Sequence, residues 1–314
     1  MPTSGSINLT ATRDDIITEA LELLGVLAEG DSPTAAQLTS CARTFNFMVK
    51  AYQADGLNLF ALQQVYLFLQ AGQSAYSLID STTDHYTASF VETTTSAASA
   101  SGATTLTVTS ITGMSSTNTI GVYQDDGAMH WTTINGAPSG STVTLTAALT
   151  AAVSSGAVVY VYASKAKRPM RIQEAVVHSY ASGNDTPITN GSREEYFNLS
   201  QKHTDGQVNS IYYDPQVTAP KLWVWPQSDD ERDYLKLYIQ RTLEDLDAAG
   251  DLVDYPQEWF LFLSYNLALL LGPKYGKPLP ALAGVSAIAE REYKRVKDFD
   301  AEPGSVFLAP RLDG

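Results

Sequence analysis

Apolar residues recur at helical spacing in two segments near the beginning of the chain. In residues 12–28 they fall on one helical face, and in residues 34–55 they recur every three or four positions. Thr12 is followed three residues later by Asp15, which resembles a capping box, and Ser32-Pro33 is typical of an N-cap and the first helical residue. The pattern therefore predicts two helices, one in each segment.

Two further helices are predicted near the other end of the chain, from Asp254 to about Gly272 and over residues 280–299. The first contains WFLFLSYNLALLL (residues 259–271), which is apolar on nearly every side and must be buried on most of them. The other three helices of a bundle could cover it, and so could a neighbouring subunit. This run of 13 residues is shorter than the about 20 that a membrane span needs, so no membrane partner is expected.

Strand-like alternation separates the two helical ends. Turn dipeptides such as Asp126-Gly127 and Asn135-Gly136, which tight hairpins favour, divide the central part, residues 86–163. The strands predicted there are residues 105–111, 119–124, 129–134, 142–149 and 157–163. Those predicted outside it are residues 63–70, 175–180, 209–214, 221–226 and 235–241. Five short strands so closely spaced predict a small β-sandwich or barrel.

The order of the elements predicts how the chain divides. Helices at both ends can meet only if the middle of the chain leaves the helical part and returns to it. We therefore predict an α+β fold in which residues 1–85 plus 164–314 form a discontinuous domain, a four-helix-bundle core that also bears antiparallel strands. A small all-β domain, residues 86–163, is inserted into it at a point where such insertions are tolerated.

Composition narrows the classes of protein. The 314 residues include 34 Asp and Glu against 20 Lys and Arg, a net charge of −14, which does not favour a broad grip on nucleic-acid phosphates. The single cysteine, Cys41, excludes an intrachain disulfide and lies on the apolar stripe of the second helix, where a core role is expected. The first 15 residues have neither the basic nor the apolar region of a signal peptide.

No catalytic motif is present. The chain lacks GxSxG, HExxH, GxxxxGK[ST], GxGxxG and CxxC patterns. Its four histidines, none of which forms an i, i+4 pair, are His85, His130, His178 and His203. We therefore expect no enzyme activity, no metal and no cofactor.

Two charged segments of opposite sign are candidates for contacts. The acidic residues are Glu244, Asp245, Asp247 and Asp251, followed by Asp254. They could do acid–base chemistry or bind calcium, but their spacing does not match an EF-hand, and a solvated loop with Asp254 as a helix cap is favoured. The basic residues are Lys165, Lys167, Arg168 and Arg171. They form either a charged linker or an ion-pair surface towards these acids, in the same or a neighbouring subunit.

Two apolar features of the sequence each allow two interpretations. Pro303 and Gly304 end the last helix, and Val306, Phe307 and Leu308 follow as an apolar patch, before Pro310 and Arg311. This tail either frays or is an arm that docks into a partner groove or adds a strand. In the β insert, Trp131, Tyr123 and Tyr162 either form an exposed aromatic platform or fill the core.

The chain resembles the head-to-tail adaptor proteins of tailed phages, also called connector or head-completion proteins. Residues 10–60 carry the helix, the loop with Gly and Pro, the second helix and the exit sequence DGLNL (55–59) of the N-terminal half of that family. Later stretches that are similar are YYDPQ (212–216), LWVWP (222–226), residues 240–259 and NLALLLGPKYG (266–276). The insert resembles the extra β module of some podovirus-type adaptors.

The resemblance implies a structural virion protein, assembled in the host cytoplasm. It would form a ring of identical subunits, typically twelve, between the portal protein and the tail or nozzle protein. Its helical part would form the ring body, and Val306, Phe307, Leu308, Pro310 and Arg311 would form the arm that docks into the portal. The ring would close the DNA channel after packaging and conduct double-stranded DNA at ejection, with transient, non-specific contact.

Charge is compatible with this function. An acidic wall repels phosphate and lets DNA slide. The acidic and basic segments could supply the two different faces that contacts around a ring require. The alternative function is a binding module in which the β insert recognises a glycan or a capsid or tail protein.

Overall fold

The computed structural model describes residues 9–55, 59–80 and 82–300. By contacts, the chain divides into a helical unit, Met1–Ala61 with Leu243–Gly314, and a β unit, Leu62–Thr242. The predicted α+β class is confirmed. Residues 62–85 and 164–242, which were predicted to belong to the helical domain, are therefore part of the β unit. That residues 86–163 form a separate domain stays a prediction.

The described residues contain five α-helices and fifteen strands. The helices are α1 (Arg13–Leu23), α2 (Ala35–Ala54), α3 (Arg193–Asn198), α4 (Phe260–Leu271) and α5 (Ala283–Phe299). The strands are β1 (Leu62–Phe68), β2 (Ala75–Ser77), β3 (Tyr86–Thr87), β4 (Val91–Thr94), β5 (Thr105–Thr107), β6 (Thr119–Tyr123), β7 (Met129–Thr133), β8 (Thr142–Thr144), β9 (Val158–Tyr162), β10 (Pro169–Ser179), β11 (Asn184–Pro187), β12 (Thr189–Asn190), β13 (Ser210–Asp214), β14 (Lys221–Trp225) and β15 (Tyr234–Arg241).

Side-chain caps fix the beginnings of the first two helices. The predicted capping box of Thr12 and Asp15 is confirmed at α1. The predicted start of α2 at Ser32-Pro33 is wrong. The backbone N–H of Thr34 donates to Oε1 of Gln37 at 2.8 Å, and the Gln37 N–H donates back to Oγ1 of Thr34 at 3.3 Å. This reciprocal pair satisfies two helix-end donors, so α2 begins after Thr34.

Helix α4 lies at the centre of the helical unit. It packs against α1, α2 and α5, and residues from all four helices share one core. The predicted four-helix bundle is not evident in the described residues. Helix α5 buries only Ala289, Glu292 and Val296, whereas a bundle helix buries a continuous stripe against two neighbours. The two ends of the chain nevertheless meet in a single core.

Four sheets make up the β unit. Sheet I has the order β11-β10-β15-β1-β3, sheet II β12-β13-β14-β2, sheet III β4-β9-β6-β7 and sheet IV β5-β8. All the strand pairs are antiparallel except the parallel β12–β13 pair. Each of the ten predicted strands overlaps an observed one, and the short strands β2, β3, β4, β11 and β12 were not predicted.

Successive side chains of a strand point to opposite faces of its sheet, and the β unit contains three hydrophobic cores. Leu67 on sheet I and Leu222 on sheet II share the first, whereas Val161 on sheet III and Val143 on sheet IV share the second. The third joins the other faces of sheets I and III. It is mainly aromatic, and its buried members are Phe68, Met129, Val158, Tyr160, Tyr162 and Tyr234. Sheets I and III are therefore each buried on both faces in this region.

The two predicted hairpin turns have different outcomes. The Asp126-Gly127 turn joins β6 to β7, with Gly127 at φ 90°, as predicted. The tight turn predicted at Asn135-Gly136 is wrong, because the turn lies at Gly140-Ser141, where Ser139 and Thr142 exchange backbone hydrogen bonds, while Ile134 bridges Leu145. β7 belongs to sheet III, and β8 pairs with β5 in sheet IV. The chain crosses between two sheets there.

Candidate functional site

The acidic segment is a loop held down through its backbone. The carbonyl of Asp247 accepts a hydrogen bond from the Arg13 guanidinium at 3.0 Å, and that of Leu243 accepts one from Lys50 Nζ at 2.6 Å. The side-chain amide of Asn46 accepts a hydrogen bond from the Leu246 N–H and donates one to the Leu246 carbonyl. Sequence reasoning missed these anchors. They fix the loop while the side chains of Glu244, Asp245 and Asp247 stay exposed.

The carboxylates of this loop have different partners. Asp245 pairs with Lys50 at 2.8 Å, but both are well exposed, so the pair contributes little. Oδ2 of Asp251 accepts from the Ala248 N–H at 2.6 Å within the loop. Glu244 and Asp247 make no ion pair among the described residues. The prediction that Asp254 caps a helix is wrong, because a 3-10 turn, Gln257–Trp259, begins after Pro256 without a side-chain cap.

The basic segment is partly engaged inside the β unit. Lys165 donates to the Thr82 carbonyl, and burial lowers the pKa of this lysine. Lys167 pairs with Asp80 at 2.9 Å, and its hydrogen bond lowers the pKa of the Asp80 carboxyl. Arg168 is half-buried and Arg171 is exposed on β10. The contact between this segment and the acidic loop in a neighbouring subunit stays a prediction.

Helix α4 is not covered on every side. Its buried residues include Phe262, Leu263 and Leu267, yet Leu261 is 44% and Leu270 is 49% exposed. These two leucines are nine residues apart and lie on opposite sides of the helix, and Tyr265, one turn after Leu261, is half-buried. The periodicity alone indicated that α4 must be buried but could not show which of its side chains stay exposed.

The aromatic residues of the insert face inwards. Tyr162 is 2% exposed, and the Trp131 ring stacks on the His85 imidazole at 3.8 Å and lies 5.1 Å from Phe68. Tyr123 packs on the same cluster. These three side chains therefore fill the third core and do not form an exposed platform.

A loop that the sequence did not single out joins sheets I and III. We call residues 228–233 the clamp loop. The Arg232 guanidinium pairs with Asp230 at 2.6 Å and lies between the rings of Tyr123 and Tyr180, 4.9 and 5.0 Å from their centroids. Oε2 of Glu231 accepts from the Met129 N–H at 2.5 Å. The loop thus holds the first residue of β7.

Two of the described titratable and nucleophilic groups, His85 and Cys41, make internal contacts. Within the described residues, no group of three or more His, Cys, Asp or Glu could hold a metal ion. Burial, with a smaller effect of Lys165, lowers the pKa of His85 to about 3, and its Nδ1 lies 2.7 Å from the Tyr162 hydroxyl. Cys41 is buried in the core beside Tyr275. These groups have structural partners.

The arm residues Val306, Phe307, Leu308, Pro310 and Arg311 lie outside the described residues. Among the helices that are described, none is long and apolar enough to cross a membrane. Comparison of the chain with protein-family models and with curated proteins finds no match in either.

Proposed function

We propose that the protein is a structural virion protein, the subunit of a ring adaptor between the portal and the tail. The observation that carries this proposal is the helical unit, in which α1 and α2 share one core with α4 and α5 across about two hundred intervening residues. The stretches near both ends of the chain that resemble adaptor proteins therefore share one hydrophobic core. The β unit lies between these stretches in the sequence.

Two further features support self-assembly. The acidic loop is fixed by its backbone yet exposes Glu244, Asp245 and Asp247, and the basic segment exposes Lys167 and Arg171. Different faces of opposite charge are what a head-to-tail ring contact requires. Leu261 and Leu270, the exposed leucines of α4, add apolar surface that a neighbouring subunit would bury.

In the assembled ring, the protein would line the DNA channel and perform no chemistry. Its net charge of −14 disfavours tight binding of DNA, so double-stranded DNA would pass with transient contact. The ring would close the channel after packaging and connect it to the tail or nozzle protein.

The test is assembly with purified portal protein. Electron microscopy of the mixture should show a ring seated on the portal, and sedimentation should recover both proteins together. Phe307→Asp or deletion of residues 303–314 should weaken co-sedimentation and leave the unfolding curve unchanged, because the arm follows the helical unit. Wild-type protein that neither binds the portal nor forms rings with it would overturn the proposal. Unchanged co-sedimentation of the two arm variants would remove only the arm's role.

A further inference from the structure

The chain contains two Asn-Gly dipeptides, Asn135-Gly136 and Asn190-Gly191. In such a dipeptide the backbone nitrogen of glycine can attack the side-chain amide of asparagine, because glycine has no Cβ atom to shield that nitrogen. Both asparagines are exposed, so water reaches either of them. A difference in reactivity between the two must therefore come from the contacts that hold each dipeptide.

Asn190-Gly191 is held at both of its reacting groups. Nδ2 of Asn190 donates to the Ile172 carbonyl at 2.9 Å, and the Gly191 N–H donates to the Ile211 carbonyl at 2.8 Å. The site is also crowded, since a Cβ atom on Gly191 would lie 3.2 Å from Oε2 of Glu195. Both hydrogen bonds must open before the glycine nitrogen can reach the asparagine side chain.

Asn135-Gly136 is held only on the side that precedes it. The backbone N–H of Asn135 donates to the Thr144 carbonyl at 2.8 Å, which fixes the main chain before the reacting groups. The side-chain amide of Asn135 and the N–H of Gly136 have no hydrogen-bond partner among the residues that the structure describes. A Cβ atom on Gly136 would meet nothing within 4 Å, so the space around this nitrogen is open.

The main chain after Asn135 is equally unrestrained. No main-chain group of residues 136–138 forms a hydrogen bond with another described residue, and backbone bonding resumes where Ser139 and Thr142 exchange bonds. A rotation that brings the Gly136 nitrogen towards the Asn135 side chain therefore breaks none of the hydrogen bonds described for this loop.

We infer that Asn135 is a site of spontaneous deamidation and that Asn190 is protected from it. The Gly136 nitrogen forms a bond to Cγ of Asn135, the Cγ–Nδ2 bond breaks, and the proton of the Gly136 N–H leaves with Nδ2 as ammonia. Water then opens the resulting succinimide ring. Attack of water on Cγ gives aspartate, and attack on the main-chain carbonyl carbon gives isoaspartate, in which the main chain runs through Cγ.

The reaction places a new carboxylate in the β segment that has no basic residue. No Lys or Arg occurs in residues 51–164, and the one added charge changes the net charge from −14 to −15. Isoaspartate also lengthens the main chain by a methylene group, immediately before the unrestrained residues 136–138. The inference goes beyond the proposed function and does not depend on it.

The experiment follows both asparagines in the full-length protein, kept folded at mildly alkaline pH and sampled over time. Peptide mapping by mass spectrometry should show Asn135 converted to isoaspartate and aspartate. Loss of the Asn190 amide should be at least about tenfold slower, since two hydrogen bonds must open first. In concentrated urea, which removes those bonds, the two asparagines should react at similar rates.

Two matched variants assign the product. Wild type and Asn190→Gln should develop a more acidic species on anion exchange, whereas Asn135→Gln should not, because glutamine would have to close a larger ring. If Asn190→Gln does not fold, the peptide map of wild type decides alone. An Asn135 that keeps its amide as long as Asn190 does, or equal loss from both in the folded protein, overturns the inference. Aspartate without isoaspartate overturns the succinimide route.

Discussion

At the scale of single residues, Gly121 and His85 both lie against one tryptophan ring, that of Trp131. Gly121 lies opposite Trp131 in the β6–β7 pair, and a Cβ atom there would lie 2.6 Å from the ring. The imidazole of His85 stacks on the ring at 3.8 Å and is itself bonded to Tyr162. The ring therefore has little freedom to move away from either neighbour.

Gly121→Ala should destabilise the β unit by about 1–3 kcal/mol, because the added methyl group overpacks the third core. Urea unfolding followed by tryptophan fluorescence measures this change. Gly250→Ala is the control, since a Cβ atom there meets nothing within 4 Å and the backbone does not need glycine. A Gly121→Ala protein as stable as wild type would show that Trp131 is free to shift.

His85 predicts a dependence of stability on pH. Its pKa of about 3 in the folded protein is below the about 6.5 of an unfolded histidine, so between these values only the unfolded chain binds the proton. The free energy of unfolding should therefore fall as the pH drops from 6.5, by about 1.4 kcal/mol per unit from this group.

The measurement compares urea unfolding of wild type and His85→Asn between pH 6.5 and 5, above the range in which most carboxyl groups titrate. The variant should lose less stability per pH unit than wild type. His203→Asn, which removes an exposed histidine, is the control. Equal slopes for wild type and His85→Asn would mean that His85 takes up its proton without unfolding.

At the scale of elements, local patterns predict where helices and strands form but not which of them pair. The Thr12–Asp15 cap and the ten strands follow from signals within a few residues. The pairing of β8 with β5, and the bridge between Ile134 after β7 and Leu145 after β8, depend on a core that Val143 and Leu145 share with sheet III, which no turn dipeptide encodes. Register is thus set by burial across the fold.

The candidate surfaces show the same limit. The acids of residues 243–251 are visible in the sequence, but Arg13 and Asn46 hold their backbone from more than two hundred and from two hundred residues away. Likewise, the apolar run of α4 predicted that the helix must be buried, whereas the exposure of Leu261 and Leu270 depends on where the other helices pack.

The clamp loop yields a prediction for the joining of sheets I and III. Glu231→Ala removes the carboxylate that accepts from the Met129 and Ala71 N–H groups and should cost about 1.5–3 kcal/mol. Hydrogen exchange of the Met129 amide should accelerate more than exchange in sheet II. Asp229→Ala, an exposed neighbour in the same loop, is the control. Unchanged protection of Met129 would mean that the aromatic core alone joins the sheets.

At the scale of the whole molecule, the charge is unevenly distributed. All 20 Lys and Arg lie outside residues 51–164, and the chain as a whole carries −14. Identical subunits of such charge repel one another, so a ring needs local contacts of opposite sign or buried apolar surface. The basic segment, the acidic loop and the exposed leucines of α4 are the features that supply them.

Reversing Lys167 and Arg168 to Glu should weaken ring assembly more than it weakens the fold. Within the β unit the change removes the exposed pair of Lys167 with Asp80, and such a pair is worth at most about 1 kcal/mol. Between subunits it places acid opposite acid, and the repulsion repeats at every contact of the ring. Native mass spectrometry, with portal present to promote assembly, should show fewer complete rings, and urea unfolding should show a nearly unchanged free energy of unfolding.

Lys294→Glu with Lys297→Glu, the same change of charge on the exposed side of α5, is the control. Added salt should narrow the difference between the two double variants, because it screens exposed charges. Complete rings from the Lys167 and Arg168 variant at low salt would exclude the basic segment from the subunit contact and leave apolar surface, such as the exposed leucines of α4, to form it.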